Sequence, residues 1–293
     1  MMLAAFALCR LVAYVSAILL FGAAAMLAMS GSRGLSLSVE AILRKMLRRV
    51  AIVGALAVLC LLPLQTATIA DAWRGMWDAD MLSVVAFQTR YGQAWMLRAI
   101  AVLLVAVVFL WASPAKAGLR AVAAGIALLP LSLSGHAAMN EGWPGFAHAA
   151  SDAVHCLAAG FWLGSLPVFL GFLKLWNEPA YKKDATRALL RFSTAGHIAV
   201  AALLLSGALN ALMILWPAGW DLQSGYQQLL AIKILLALAM VALALINRYR
   251  WIPALRTRRG AALSHIRRNT VLELWLGGGV IALVSLLGLL APQ

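Results

Sequence analysis

Apolar residues fall in long blocks along this chain, and polar residues gather between them. Eight blocks stand out, at about 3–29, 48–70, 94–112, 118–135, 148–173, 191–216, 226–248 and 270–290. Each runs for roughly 18–27 residues, enough for a helix to cross ~30 Å of hydrocarbon. The first, with "VAYVSAILLFGAAAMLAM", carries no charge over 18 residues. The pattern predicts an all-α polytopic membrane protein, a bundle of eight transmembrane helices forming one integral membrane domain over 1–293. The longest connections, about 71–93, 174–190 and 249–269, are read as loops. Pro63 and Pro130 are expected to bend the second and fourth helices near their outer ends. Gly160 and Gly164 in "GFWLG" have the spacing that lets a second helix approach closely.

Composition agrees: 64% of the residues are hydrophobic, more than a water-soluble domain can hide. The formal charge of +14 raises the possibility of nucleic acid. Its distribution removes it. Basic residues crowd the odd-numbered connections: Arg33, Arg44, Lys45, Arg48 and Arg49; Lys116 and Arg120; Lys174, Lys182, Lys183, Arg187 and Arg191; then Arg248 through Arg268. The even-numbered connections hold only Arg74 and Arg90. This positive-inside pattern places the odd connections in the cytoplasm and both termini in the periplasm. The outer loops are mildly acidic, with Asp71, Asp78, Asp80, Glu141 and Asp221. Three cysteines, Cys9, Cys60 and Cys156, all lie in apolar blocks, so no disulfide framework is expected. No basic segment or cleavage site marks the first block as a removed signal, and it is read as a retained helix.

Charges within the blocks need a partner or a purpose, since each costs ~2.5–3.5 kcal/mol on insertion scales. Counting down each helix from its outer end puts Arg98 and Asp152 at a depth of ~6 Å, and Arg10 and Lys233 at ~10 Å. His155 and Asn210 fall near the same level. A polar layer in the outer third of the bilayer is therefore expected, either as cations snorkelling outward or as a vestibule. Glu273 begins the last block and reads as an acid in a first helical turn, where the macrodipole favours it.

One stretch concentrates metal-ligand chemistry: "SGHAAMNEGWPGFAHAASDAVHC", residues 134–156. His148, Asp152, His155 and Cys156 recur at i, i+4, i+7 and i+8, one face of a helix. His136 and Met139 precede them in a short outer loop. Imidazole, carboxylate, thioether and thiolate together suit copper or zinc, and the residue types leave the two open. Met213, at the outer end of the sixth block, is a further soft donor. Cys60, Cys156 and His197 extend the series inward as a candidate path. An isolated histidine at such a place is as readily bonded to a carbonyl.

The same residues carry a resemblance. "SGHA" with "SDAVHCLAAGFWLGSL", "RFSTAGHIAVAALLLSGALNAL", "LLAIKILLALAMVALALINRYRWIPAL" and "LELWLGGGVIALVSLLGLLAP" occur in order, and "TRYGQAWMLR" opens the third helix. Together they resemble the CopD family of bacterial inner-membrane copper resistance and copper uptake proteins, over nearly the whole chain. The resemblance implies copper, as Cu(I) or Cu(II), passing across the inner membrane, with a CopC-like periplasmic copper-binding protein as donor. His136 stands in the family's Gly-His pattern and Asp152 with His155 in its Asp-x-x-His pattern. Lys233, Asn247 and Glu273 match family-like positions.

The expectation is copper transport from periplasm to cytoplasm, with capture at His136, Met139 and His148 and transfer to Asp152, His155 and Cys156. His197, Cys60, Met213, Asn210, Lys233, Arg98 and Glu273 are candidate path or charge-pairing residues. The alternative is a non-transporting protein that exchanges copper with a periplasmic partner at the mouth alone. Haem fits poorly, because His155 and His197 differ by ~10 Å in depth. No nucleotide motif or nucleophile elbow points to an enzyme.

Overall fold

The computed structural model describes residues 1–133, 142–219, 221, 223–255 and 257–290. Among these there is helix and turn but no strand. The chain runs through α1 (Met2–Met29), α2 (Arg33–Ile69), α3 (Ala79–Gln88), α4 (Arg90–Trp111), α5 (Ala117–Ile126), α6 (Gly142–Leu175), α7 (Lys182–Ala218), α8 (Gly225–Ile246), α9 (Ile252–Ala254) and α10 (Arg259–Leu287). Eight helical segments are long and apolar enough to cross a membrane, one for each block read from the sequence.

The helices outrun the blocks. α2 begins at Arg33, α7 at Lys182 and α10 at Arg259, so much of what reads as basic loop is helix. Hydropathy marks where lipid begins and ends, whereas helical hydrogen bonds are local and continue wherever a packing face continues. These extensions have such a face. Leu35, Val39 and Leu47 of α2, Ala185 and Ala188 of α7 and Ile266 of α10 are buried in one core with Phe172 and Leu173 of α6. The start of α2 is fixed by Ser32, whose hydroxyl accepts from the Leu35 N–H at 3.4 Å and donates to Asp184 at 2.6 Å.

This also corrects the reading of Glu273. It lies in the middle of α10 and is only 3% exposed, so the helix N-terminus does not account for it. The expected loop at 71–93 is likewise partly helical. A 3₁₀ turn spans Trp73–Trp77, and α3 starts where Asp78 accepts from the Met81 N–H at 3.0 Å. Thr89 then caps α4 by accepting from Gly92 at 3.0 Å. The fourth span does break near Pro130: α5 gives way to a 3₁₀ segment, Leu129–Leu133.

α1 is the hub and packs against α2, α5, α6 and α10. Its contact with α6 depends on glycine. A Cβ on Gly22 would collide with the backbone of Gly160 and Gly164, and one on Gly164 with the Ile18 carbonyl. The spacing read from the sequence thus has its partner, and Ser165 adds a hydrogen bond to the Gly22 carbonyl at 3.0 Å. α7 packs on α6 and α8 on α10, but α7 and α8 make no extensive contact with each other. A cleft therefore separates them, floored by α6 and α10.

Candidate functional site in the outer half of α6 and α7

The first turns of α6 bring most of the candidate ligands into the bundle. His148 is 2% exposed, and Ser151 is also buried. One turn further on, the Asp152 carboxylate accepts from two sides. Asn210 Nδ2 of α7 donates to Oδ1 at 3.2 Å, and the Cys156 thiol lies 3.9 Å from Oδ2. Lys233 of α8 interacts electrostatically with Asp152 and Cys156 from across the cleft. Its side chain is half-buried, and the direct polar partner of Asp152 is the amide of Asn210.

His155 turns toward α7. Its Nδ1 lies 3.1 Å from the Leu203 carbonyl and 3.2 Å from the Ser206 hydroxyl. A carbonyl can only accept, so Nδ1 carries the hydrogen and Nε2 of the neutral ring keeps its lone pair. That leaves one nitrogen suited to a metal. Ser206 itself donates to the Ala202 carbonyl at 2.6 Å. Gly207 makes room for the ring: a Cβ there would stand 3.0 Å from His155 Cε1.

One polar atom here is left over. Asn210 Oδ1 is buried and has no hydrogen-bond partner among the described residues. An unsatisfied buried acceptor costs roughly 1–3 kcal/mol, which a cation or a water would recover. Asp152, Cys156, Asn210 and His155 thus form a continuous polar seam between α6 and α7. Among the described residues, no three His, Cys, Asp or Glu side chains stand close enough to hold a metal ion together. His136 and Met139 lie outside the described residues.

The other candidates separate. Cys60 is exposed on α2, within electrostatic range of Cys9 of α1. Met213 is partly exposed near the end of α7. His197 is exposed lower on α7, where its Nδ1 meets the Ser193 carbonyl at 2.6 Å and Tyr249 meets its Nε2 at 3.4 Å. Glu273 lies with Asn247 at the far end of the α7–α8 cleft.

Two of the three intramembrane cations are tied elsewhere. Arg10 donates to the Gly288 carbonyl at 2.8 Å and to the Tyr14 hydroxyl at 3.0 Å. Arg98 packs over the Tyr14 ring at 5.1 Å, with Nη2 buried and without a hydrogen-bond partner among the described residues, while still acting electrostatically on Cys156. Tyr14, which no sequence pattern singles out, is the anchor that holds both guanidinium groups. Ser206 is a second residue absent from the sequence-based candidates, although its hydroxyl sits four residues before Asn210 in "SGALN", on the same helical face. A third is Glu40, which is 1% exposed and paired with Arg120 at the basic end of the bundle.

Residues 1–146 match the "Copper resistance protein D-like, N-terminal domain" and residues 186–287 match "Copper resistance protein D". Two relatives align along almost the full length. The inner membrane protein YebZ of Escherichia coli is 30% identical over 97% of both chains. Copper resistance protein D of Pseudomonas syringae pv. tomato is 30% identical over 97% of this chain and 96% of its own. The chain belongs to the copper resistance protein D family. The copper transport protein CutJ of Bacillus subtilis is 28% identical over 66% of this chain and 37% of its own length. No solved structure matches. Membership and the eight apolar helices make this a multi-pass inner-membrane protein of a copper resistance and transport family.

Proposed function

We propose that this copper resistance protein D relative carries copper across the inner membrane from periplasm to cytoplasm. Both termini then face the periplasm and the basic connections face the cytoplasm, as the positive-inside pattern requires. Copper is the cargo. It is received from a CopC-like periplasmic copper-binding protein at His136, Met139 and His148 and drawn into the seam between α6 and α7. The name of the Bacillus relative, a copper transport protein, supports the reading.

The observation that carries it is the unpartnered Asn210 Oδ1 beside Asp152. A carboxylate, a spare amide carbonyl, a thiol and an imidazole with a free Nε2 make an acceptor-rich surface. Asp152 supplies the negative charge, His155 and Cys156 the softer donors. Lys233 balances Asp152 when no ion is present, so the arriving cation displaces an interaction instead of facing an isolated charge. With Arg10 and Arg98 gathered on Tyr14, the repulsion that three free cations would cause is reduced.

The test is copper content in cells and in purified protein for wild type, His155→Ala and His136→Ala, each at matched expression. Passage predicts that His155→Ala cells fail to accumulate copper. A second reading, handover at the mouth without passage, draws on the absence of a three-ligand group among the described residues. It predicts that only His136→Ala loses bound copper, and that cellular copper never depends on the protein.

A further inference from the structure

The cleft between α7 and α8 continues below the seam. His155 and Trp162 lie seven residues apart on α6, on nearly one face and ~10 Å apart along the axis. At the level of Trp162 the cleft widens into a cavity of about 120 Å³. Trp162 and Glu273 lie along it, with His197 on one side and Asn247 at its end.

Glu273 is held there by neutral donors. Asn247 Nδ2 donates to its Oε1 at 3.3 Å. Asn269 Nδ2 donates in turn to Asn247 Oδ1 at 2.9 Å, which fixes the orientation of the amide. The Trp162 indole lines the same cavity as the carboxyl and adds a neutral polar edge to its surroundings. The titratable or charged groups facing this cavity from the packed elements are His197 on α7 and Arg248 after α8; the lining residues of α6 and α8 bring none. Arg267 and Arg268, on α10 itself, are exposed. His197 is engaged by Ser193 and Tyr249.

A carboxyl so placed holds charge only at an energetic cost, and a bound proton removes that cost. A cavity of about 120 Å³ with polar groups on its lining has room for water, which would give the proton a route. We propose that Glu273 is a proton-exchange site open to the basic end of the bundle and, resting on the copper passage proposed above, the group that couples proton movement to it. In one direction the carboxyl O–H bond breaks and the proton leaves to cavity water. In the other, the carboxylate takes a proton back. No other co-reactant is needed.

The site can be tested without copper. Infrared difference spectra of the purified protein in nanodiscs, recorded between high and low pH, report protonated carboxyls. We expect a protonated-carboxyl band that disappears in Glu273→Gln, persists in Asp152→Asn, and moves in frequency and midpoint in Trp162→Phe. A band unchanged in Glu273→Gln overturns the proposal. Should that variant not fold, dicyclohexylcarbodiimide on the wild type answers the same question by peptide mapping: Glu273 modified supports the site, Glu273 unmodified refutes it. Coupling is read in proteoliposomes with an enclosed pH dye. Copper addition should move protons in wild type and not in Glu273→Gln, and copper entry without proton movement removes the coupling. Copper failing to enter wild-type vesicles would remove the transport reading and leave the infrared result standing.

Discussion

Asn210 on α7 reaches Asp152 on α6 through a 3.2 Å hydrogen bond, and its own carbonyl oxygen is left buried and unpaired among the described residues. Those two facts separate what each residue contributes. Asp152→Asn keeps the size and removes the charge, so it should abolish copper accumulation in cells. Asn210→Leu removes one ligand atom and one positioning bond. We expect its copper affinity to fall about tenfold, equivalent to ~1.4 kcal/mol. Cellular copper content checks the first and copper titration of the purified variants the second, and equal losses of affinity from the two would mean that Asn210 acts only through Asp152.

Gly22 and Gly164 let α1 and α6 meet backbone to backbone. Neither residue lies near the seam, so substitutions there should act on the fold. Gly22→Val and Gly164→Val force the helices apart and lose close packing and the Ser165–Gly22 hydrogen bond. We expect each to lower stability by at least ~1–3 kcal/mol, the usual range for overpacking. Thermal melting in detergent checks this. Gly34, with open space around its Cβ position, is the control and should accept alanine with little change.

The span count, the close-approach spacing of Gly160 and Gly164 and the copper family are all legible in the sequence, for one physical reason. Each depends on local composition or on spacing along a single helix. What is not legible depends on partners from distant segments. Glu273 looks like a first-turn acid because hydropathy ends at the lipid boundary, and α10 continues past it on the strength of Ile266 and Ala262 packing. Glu40 is hidden among basic neighbours because its partner, Arg120, lies 80 residues away. Periodicity places His155 on the ligand face of α6 together with Asp152. Its rotation toward Leu203 is a property of α7, which no spacing rule on α6 contains.

Glu40 and Arg120 form a buried ion pair at the basic end of the bundle, with Arg120 also donating to the Ala112 carbonyl at 2.7 Å and lying over Phe109 at 5.3 Å. Removing one partner strands the other charge. Glu40→Ala and Arg120→Ala should each destabilise the protein by ~3–5 kcal/mol, while the double variant should lose clearly less than the sum. A double-mutant cycle in detergent provides the numbers. Additive losses would show that the pair contributes nothing beyond its separate packing.

Gly207 stands against the His155 ring, where a methyl group would come within 3.0 Å of Cε1. Gly207→Ala therefore requires the imidazole to give way by a few tenths of an ångström. The ring is pinned through Nδ1 by Leu203 and Ser206, so the shift is taken up at the nitrogen left for the metal. The substitution adds one carbon to a partly buried helical position and also replaces glycine by the better helix former, worth up to ~1 kcal/mol. Thermal stability should hold or rise, and copper binding should weaken, a combination that damage to the fold cannot produce. Ser206→Ala gives the complementary case. It removes one of the two partners of Nδ1 without crowding the ring, so the Leu203 carbonyl still fixes the tautomer and copper binding should fall less than in Gly207→Ala. If the order is reversed, the hydroxyl and not the carbonyl holds the imidazole in place, and Nε2 is presented to the ion by Ser206.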